Sequence, residues 1–438
     1  MVYSLKIRVK KQKRNILSFI FVVGSFLGLQ AQTEGDMTQV MLPWPENLQT
    51  RIDTMIQEPL FDYSQLGLMI YDLTADSVLY SYGEKQTLRP ASTMKLLTAV
   101  TALDRLGPDY QFRTSLRYTG TVTDSVLIGD VYCVGGMDPM FETTDMNAFV
   151  ESILRLGVKT IRGRLVAVTS FKDELLLGEG WCWDDDNPQL TPLLISRQDA
   201  FMSRLVEMLR SAGVEVDAIV TNGLLPKESL TICSRSHSLR DVLFPMMKDS
   251  DNLYAESMFF QVAAADGSRP AKAVHGRQAV KQLLSKAGVS NIQYRVTDGS
   301  GLSLYNYVTP ELMIRLLIYA YRHLNIFREL YPSLPVAGQD GTLKKRMTES
   351  VANGRVRAKT GTVTGVTTLA GYCTSANGHM LAFSIMNQGV LKIADGRDFQ
   401  DRLCAAMSDP NRFEVPQQKV DKKKVTKKRK AKARKRRK

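Results

Sequence analysis

Residues 90–97 read PASTMKLL, and the spacing inside that stretch decides how the rest of the chain is read. Ser92 stands three positions before Lys95, at the head of a run in which Met94, Leu97, Val100 and Leu103 recur at helical spacing until Gly107. A serine at a helix start is first of all a cap, and a lysine one turn on is first of all a surface residue. The pair has a second reading. Positions i and i+3 share one face of a helix, so the Lys95 amine can reach the Ser92 hydroxyl. A serine hydroxyl needs a base to become a nucleophile, and a lysine serves if burial and nearby positive charge keep it neutral. A helix start also offers backbone N–H groups to a developing oxyanion. Ser-x-x-Lys alone does not choose between the two.

Two further motifs weigh on the choice. Ser250-Asp251-Asn252 lies in KDSDNLYAE, and Lys359-Thr360-Gly361, followed by Thr362, lies in VRAKTGTVTG. Ser-x-x-Lys and Lys-Thr-Gly each occur once in the chain. A second Ser-x-Asn, Ser375-Ala376-Asn377, runs into Gly378 and reads as a hairpin turn. Ser-x-x-Lys, Ser-x-Asn and Lys-Thr-Gly stand here in the order of the penicillin-recognising serine acyltransferases.

The resemblance extends further. LRPASTMKLLTAVTALDRLGPDYQFRT, GDVYCVGGMDP, KDSDNLYAE, TDGSGLSLYN, VAGQDGTLKKRM and GRVRAKTGTVTGVTTLAGYCT together resemble one family. It is the class C, low-molecular-mass penicillin-binding proteins of the penicillin-binding protein 4 type, which are D-alanyl-D-alanine carboxypeptidases and endopeptidases. The similarity runs from about residue 50 to 405. It implies an α+β fold, a transpeptidase/β-lactamase-like domain of one antiparallel sheet and a helical cluster. Residues 32–107 and 226–410 would form that domain, interrupted at 108–225 by a shortened, strand-rich insertion.

By the same resemblance Ser92 is the acylated nucleophile and Lys95 its base. Ser250 relays a proton to the leaving amine, and Asn252 holds the substrate amide. Lys359 and Thr360 bind the terminal carboxylate, Gly361 lines the substrate site, and the N–H groups of Ser92 and Thr362 form the oxyanion hole. A terminal carboxylate does need a cation and hydroxyl donors, and a tetrahedral oxyanion needs converging N–H groups. The implied substrate is the peptidoglycan stem peptide, with β-lactams as covalent inhibitors and neither cofactor nor metal. Asp138, in GGMDP, matches a family position that meets the amino group of the stem-peptide diamino acid. It reads equally as a turn aspartate before Pro139. Three features depart from the family: Leu304 stands where many relatives have Arg, the interval from Lys95 to Ser250 is short, and the basic tail is no part of the family pattern.

Composition bounds the setting. The formal charge is +14, yet fourteen Lys or Arg against Asp421 fall between Lys419 and Lys438, and six more precede Asn15. The body between is mildly acidic, so no nucleic-acid partner is expected. The basic start leads into ILSFIFVVGSFLGL, Ile16–Leu29, and then Ala31, a secretory signal pattern over residues 1–31 that places the protein in the periplasm. Residues 411–438 read as a disordered basic tail suited to an anionic wall or membrane surface. The five cysteines have no metal-ligand spacing and read as small core residues without a disulfide.

Along the chain, LGLMIYDLTADSVLYSY reads as a hairpin expected to share a sheet with the strand of Lys359. Short strands are expected from Phe112 to Val168. Helical patterns follow in DAFMSRLVEMLRSAG, SLRDVLFPMMKDSDNLYAESMFFQVAAA, AKAVHGRQAVKQLLSKAG and TPELMIRLLIYAYRH. Strands return in RVRAKTGT, TTLAGYCT and HMLAFSIMN before a last helix, DGRDFQDRLCAAM.

Other chemistries fit less well. His237, His275, His323 and His379 lack a G-x-S-x-G partner, which argues against a Ser-His-Asp hydrolase. WDDDN lacks the Gly and distal Glu of a calcium loop. Two alternatives stand beside the peptidase: a β-lactamase-like hydrolase, and a catalytically weak penicillin-binding or wall-anchoring protein. The first would need a deacylating water and base; the second would be driven by the tail.

Overall fold

The hairpin closes through a short acid. In the computed structural model Gln65–Asp72 and Ser77–Tyr82 pair antiparallel, and Asp72 Oδ1 accepts the N–H groups of Thr74 and Ala75, both at 3.0 Å. The structure describes residues 42–411; the signal-like leader and nearly all of the basic tail lie outside the described residues.

Five antiparallel strands form the first sheet, in the order Val356–Val363, Val366–Thr374, Met380–Gln388, Gln65–Asp72, Ser77–Tyr82. The hairpin therefore shares a sheet with Lys359, as its alternation predicts. Side chains alternate between faces with period two. Leu68, Ile70, Leu369, Phe383 and Ile385 join one core with Leu48, Ile52, Phe399 and Leu403 of the helices Glu46–Met55 and Ile393–Ser408. Met69, Ala370, Ala382 and Met386 join another with Leu312 and Leu316 of Pro310–Arg322. Each large apolar side chain so buried contributes about 1.5–3 kcal/mol. Both faces are covered, which is why Val366–Cys373 reads as a nearly unbroken apolar run, buried throughout.

A helical cluster fills the second of these cores, with Lys95–Arg105, Leu239–Lys248, Asn252–Ala263 and Ala273–Lys286 as its members. Asn252–Ala263 lies at the centre, and every residue from Leu253 onward is buried. The sequence pattern runs unbroken from Ser238 to Ala265, but the structure breaks it at Asp249-Ser250-Asp251. Ser250 adopts φ +64°, a left-handed conformation costing a non-glycine residue about 1–2 kcal/mol. Asp251 restarts the helix by accepting the Tyr254 N–H at 3.2 Å.

The second sheet is mixed. Its order is Thr121–Thr123, Val126–Ile128, Thr160–Val168, Val131–Val134, Gln111–Tyr118, Leu230–Ser238, with Glu215–Asn222 also pairing with Thr160–Val168. Leu230–Ser238 lies beyond the expected boundary at 225 because it pairs with Gln111–Tyr118. The short strands expected from Phe112 to Val168 are present, and among them stands a helix not expected there, Thr143–Arg155. Its Met146, Phe149, Val150 and Ile153 stack at helical spacing onto the sheet, behind a capping box of Glu142 and Asp145. Among the described residues no helix is long and apolar enough to cross a membrane, and all five cysteines are free.

Candidate active site

The nucleophile turn is pinned before the helix begins. Ala91–Met94 is a 3₁₀ turn leading into Lys95–Arg105, so Ser92 precedes the α-helix rather than opening it. A 3₁₀ turn has three residues per turn, which stacks position i+3 over position i. Lys95 Nζ consequently lies 3.0 Å from Ser92 Oγ. The Pro90 carbonyl accepts from Thr93 N at 3.2 Å, Thr93 Oγ1 at 2.7 Å and Thr368 Oγ1 at 2.8 Å, which ties the turn to the central strand. Gly301, at φ +87°, packs beneath Ala91: a Cβ there would stand 1.9 Å from the Ala91 carbonyl oxygen.

Lys95 is fully buried, and its amine meets Ser92 Oγ, Asn252 Oδ1 at 2.7 Å and the Ser300 carbonyl at 2.8 Å. Burial lowers its pKa from 10.5 to about 8, although Asp298, Glu256 and Asp251 pull the other way. The contact to Asn252 joins the first motif to the second. Lys359 joins the second to the third: its Nζ donates to Ser250 Oγ at 2.7 Å and to its neighbour's carbonyl, Thr360 O, at 2.8 Å. Lys359 is also fully buried, and burial, then Lys95, holds its amine well below the ordinary lysine range.

Val356–Val363 is an edge strand, so alternate residues turn their backbone groups away from the sheet. Val356 O accepts from Ala337 N, and Ala358 N donates to Pro335 O. Even-numbered residues therefore face outward, and the period of two puts the Thr362 N–H on that side. Gly361 closes the third joint. A Cβ at Gly361 would stand 2.2 Å from Thr368 Oγ1, 2.7 Å from Pro90 O and 3.0 Å from Ser92 N. Gly361→Ala is therefore expected to push the strand off the nucleophile turn and slow acylation by a penicillin about 10²-fold, the scale of a 1 Å misplacement. The check is the acylation rate of a fluorescent penicillin beside the melting curve; a parental rate would show that the contact is not required.

The structure thus brings Ser92, Lys95, Ser250, Asn252, Lys359 and Gly361 together. Thr360 Oγ1 bonds Thr342 Oγ1 at 2.8 Å, and Thr362 Oγ1, on an exposed residue, accepts from Arg397 at 3.1 Å. Asp138 is not among them. Its side chain is wholly buried; Oδ2 is 2.8 Å from His237 Nδ1 and Oδ1 accepts the Met140 N–H at 3.0 Å. In this structure its partners are the Met140 N–H of its own turn and the His237 ring. Burial raises its pKa, and the bonded carboxylate raises that of His237. A cleft of about 490 Å³ bordered by Asp186, Arg197, Asp199, Ser250 and Asn252 opens beside the motifs. A larger cavity, about 720 Å³ between Tyr71 and Arg315, holds no motif residue. Among the described residues no cluster of three or more His, Cys, Asp or Glu could hold a metal ion.

Sequence reasoning assigned no role to Glu256, Asp298 or Ser300. Asp298 accepts from Trp181 Nε1, Gly301 N, Ser303 N and Asn306 Nδ2 at 2.7–2.9 Å, saturating a buried carboxylate. Glu256 could have been found: it is the single charged residue in a mostly apolar helix, and a buried charge demands partners.

Three motifs joined by Lys95–Asn252, Lys359–Ser250 and the approach of Gly361 to Ser92 define a penicillin-recognising serine acyltransferase. The sequence profile of the D-Ala-D-Ala carboxypeptidase 3 (S13) family matches residues 48–196 and 195–409, and the chain belongs to that family. A D-alanyl-D-alanine carboxypeptidase from an Actinomadura species is 27% identical, over 78% of this chain and 81% of its own length. Crystal structures of penicillin-binding protein 4 from Haemophilus influenzae, one complexed with a β-lactam, superpose with TM-scores of 0.75 and 0.70. Their identity is 25%, and the matches cover 80% and 83% of this chain and 98% and 99% of theirs. A predatory peptidoglycan endopeptidase from Bdellovibrio bacteriovorus shares the fold at TM-score 0.53 and 18% identity, over 81% of this chain and 96% of its own.

Proposed function

We propose that the protein is a serine D-Ala-D-Ala carboxypeptidase that works on peptidoglycan stem peptides through an acyl-enzyme on Ser92. The observation that carries this reading is Ser92 Oγ, 3.0 Å from a buried lysine amine whose pKa is lowered to about 8. In the proposed sequence the terminal carboxylate of the peptide sits against Lys359 and Thr360, and Asn252 holds the substrate amide. Ser92 Oγ attacks the penultimate D-Ala carbonyl as its proton passes to Lys95. The oxyanion is held by the N–H groups of Ser92 and Thr362. Ser250, bonded to Lys359, relays that proton from the Lys95 ammonium to the departing D-alanine nitrogen, which returns Lys95 to its free-base form. Water then cleaves the ester and restores Ser92. A β-lactam follows the first half of this course and stays attached.

The same acyl-enzyme arises when the leaving amine belongs to a cross-linked neighbouring stem, which would be endopeptidase action. The test is release of D-alanine from a stem peptide ending in D-Ala-D-Ala, beside cleavage of a cross-linked dimer, each with and without penicillin. Release of D-alanine that penicillin blocks supports the carboxypeptidase. Absence of both release and covalent labelling removes it and leaves the wall-anchoring alternative; labelling without release leaves the catalytically weak penicillin-binding one.

Secretion to the periplasm is supported by the run Ile16–Leu29 behind a basic start. The tail would then meet anionic wall polymers or lipid headgroups, with an attraction that salt screens beyond about 8 Å at physiological ionic strength. Removing residues 415–438 is expected to leave D-alanine release unchanged and to abolish salt-sensitive sedimentation with anionic vesicles or wall sacculi. Lost hydrolysis of the small peptide would place the tail in the fold or the site instead.

A further inference from the structure

The helix Asn252–Ala263 is buried on all sides, and Glu256, its single charged residue, is 2% exposed. Its Oε1 accepts two backbone N–H groups of one loop, Gly299 at 3.0 Å and Ser300 at 2.7 Å. The Gly299 carbonyl on the same loop is held by Thr98 Oγ1 at 2.6 Å, and Asp298 fixes the flanks through Gly301 and Ser303. The Ser300 carbonyl belongs to the next peptide, whose Gly301 N–H rests on Asp298, and it receives Lys95 Nζ at 2.8 Å.

We infer that Glu256 is a positioning residue for acylation: by holding the N–H groups of Gly299 and Ser300 it fixes the loop from which the next peptide, with its Gly301 N–H on Asp298, presents the Ser300 carbonyl that keeps the Lys95 amine aimed at Ser92. The inference rests on Lys95 being the base for Ser92. A neutral amine has two N–H donors and one lone pair. Asn252 Oδ1 and Ser300 O take the two donors at 2.7 and 2.8 Å, which leaves the lone pair for the Ser92 hydroxyl at 3.0 Å. Without the Ser300 carbonyl in place, one N–H is free to point at Ser92 Oγ. The lysine then donates to the oxygen whose proton it has to take. Such a fault slows the chemical step and leaves ligand binding alone, since Glu256 touches the loop and not the cleft.

The test uses the full chain, a fluorescent penicillin, and rapid-mixing kinetics that separate the acylation rate at saturation from the concentration for half-saturation. Glu256→Ala is expected to lower the saturating rate about 10²-fold while half-saturation moves by less than about threefold. Glu256→Gln keeps an acceptor oxygen in place and is expected to recover most of that loss, to within about tenfold of the parent. The underlying reading has its own arm: the parent must be labelled and Ser92→Ala must not. With that arm satisfied, a saturating rate for folded Glu256→Ala within about threefold of the parent overturns the inference, as does an effect confined to melting temperature. Where the alanine variant does not fold, Glu256→Gln decides: a rate down by more than about a hundredfold overturns the acceptor role.

Discussion

Alanine in place of Ser92 is expected to leave the purified protein without a covalent penicillin adduct, read by gel fluorescence and by intact mass, with the melting curve unmoved. The first half follows from chemistry. Ser92 Oγ lies within hydrogen-bond reach of a buried lysine whose pKa is lowered to about 8, whereas the other serine–lysine pair, Ser250 with Lys359, is one whose lysine must stay protonated to meet the ligand carboxylate in the proposed mechanism. The second half follows from contacts. Ser92 Oγ makes one hydrogen bond, with Lys95, and Lys95 keeps Asn252 Oδ1 and Ser300 O when that oxygen is gone. Turn geometry is held by Pro90, Thr93 and Thr368, none of which the substitution touches. Substitutions away from packed features move stability by about 0.5 kcal/mol or less. An adduct surviving on Ser92→Ala would move the nucleophile elsewhere and dismantle the site.

The parts of this site legible in sequence are those whose spacing along the chain is itself the geometry. Ser92 and Lys95 are three apart, and one turn stacks them. The hairpin from Gln65 to Tyr82 and the strands after Val356 announce themselves by alternation, and they lie in one sheet. The break at Ser250 was hidden because apolar residues continue at helical spacing on both sides of it, and periodicity does not register a single left-handed residue. The helix Thr143–Arg155 was hidden among strands although its apolar face is regular, because its neighbours set the expectation. Asp138 shows the limit most plainly. Its motif matches a substrate contact, but His237 comes from a strand ninety-nine positions away, and that pairing buries the carboxylate. Glu256 and Asp298 act through backbone amides of a loop that no local pattern connects to Lys95.

Lys95→Ala is expected to lower the acylation rate by about 10²–10⁴, the range typical of losing a general base, and to erase a particular pH dependence. An ordinary lysine, near 10.5, would be almost wholly charged at neutral pH and unable to accept a proton. Burial of Lys95 disfavours the ammonium and brings its pKa to about 8, against the pull of Asp298, Glu256 and Asp251. Since the neutral amine is the active form, the second-order acylation rate of the parent should fall about tenfold per pH unit below about 8, while the acylation rate at saturation levels off above it. Lys359 works in the opposite sense. It must carry a proton to hold the ligand carboxylate, and burial with Lys95 nearby already draws its pKa down, so rising pH weakens binding even as the base improves. A bound carboxylate supplies the counter-charge that opposes this shift, which confines the alkaline loss to the half-saturation concentration. Measured across pH with a fluorescent penicillin, the parent should show the acid limb in its second-order rate, and Lys95→Ala should show a low, flat rate over the same limb. If Lys95→Ala keeps the parental limb, another group takes the Ser92 proton and the Ser92–Lys95 contact is structural.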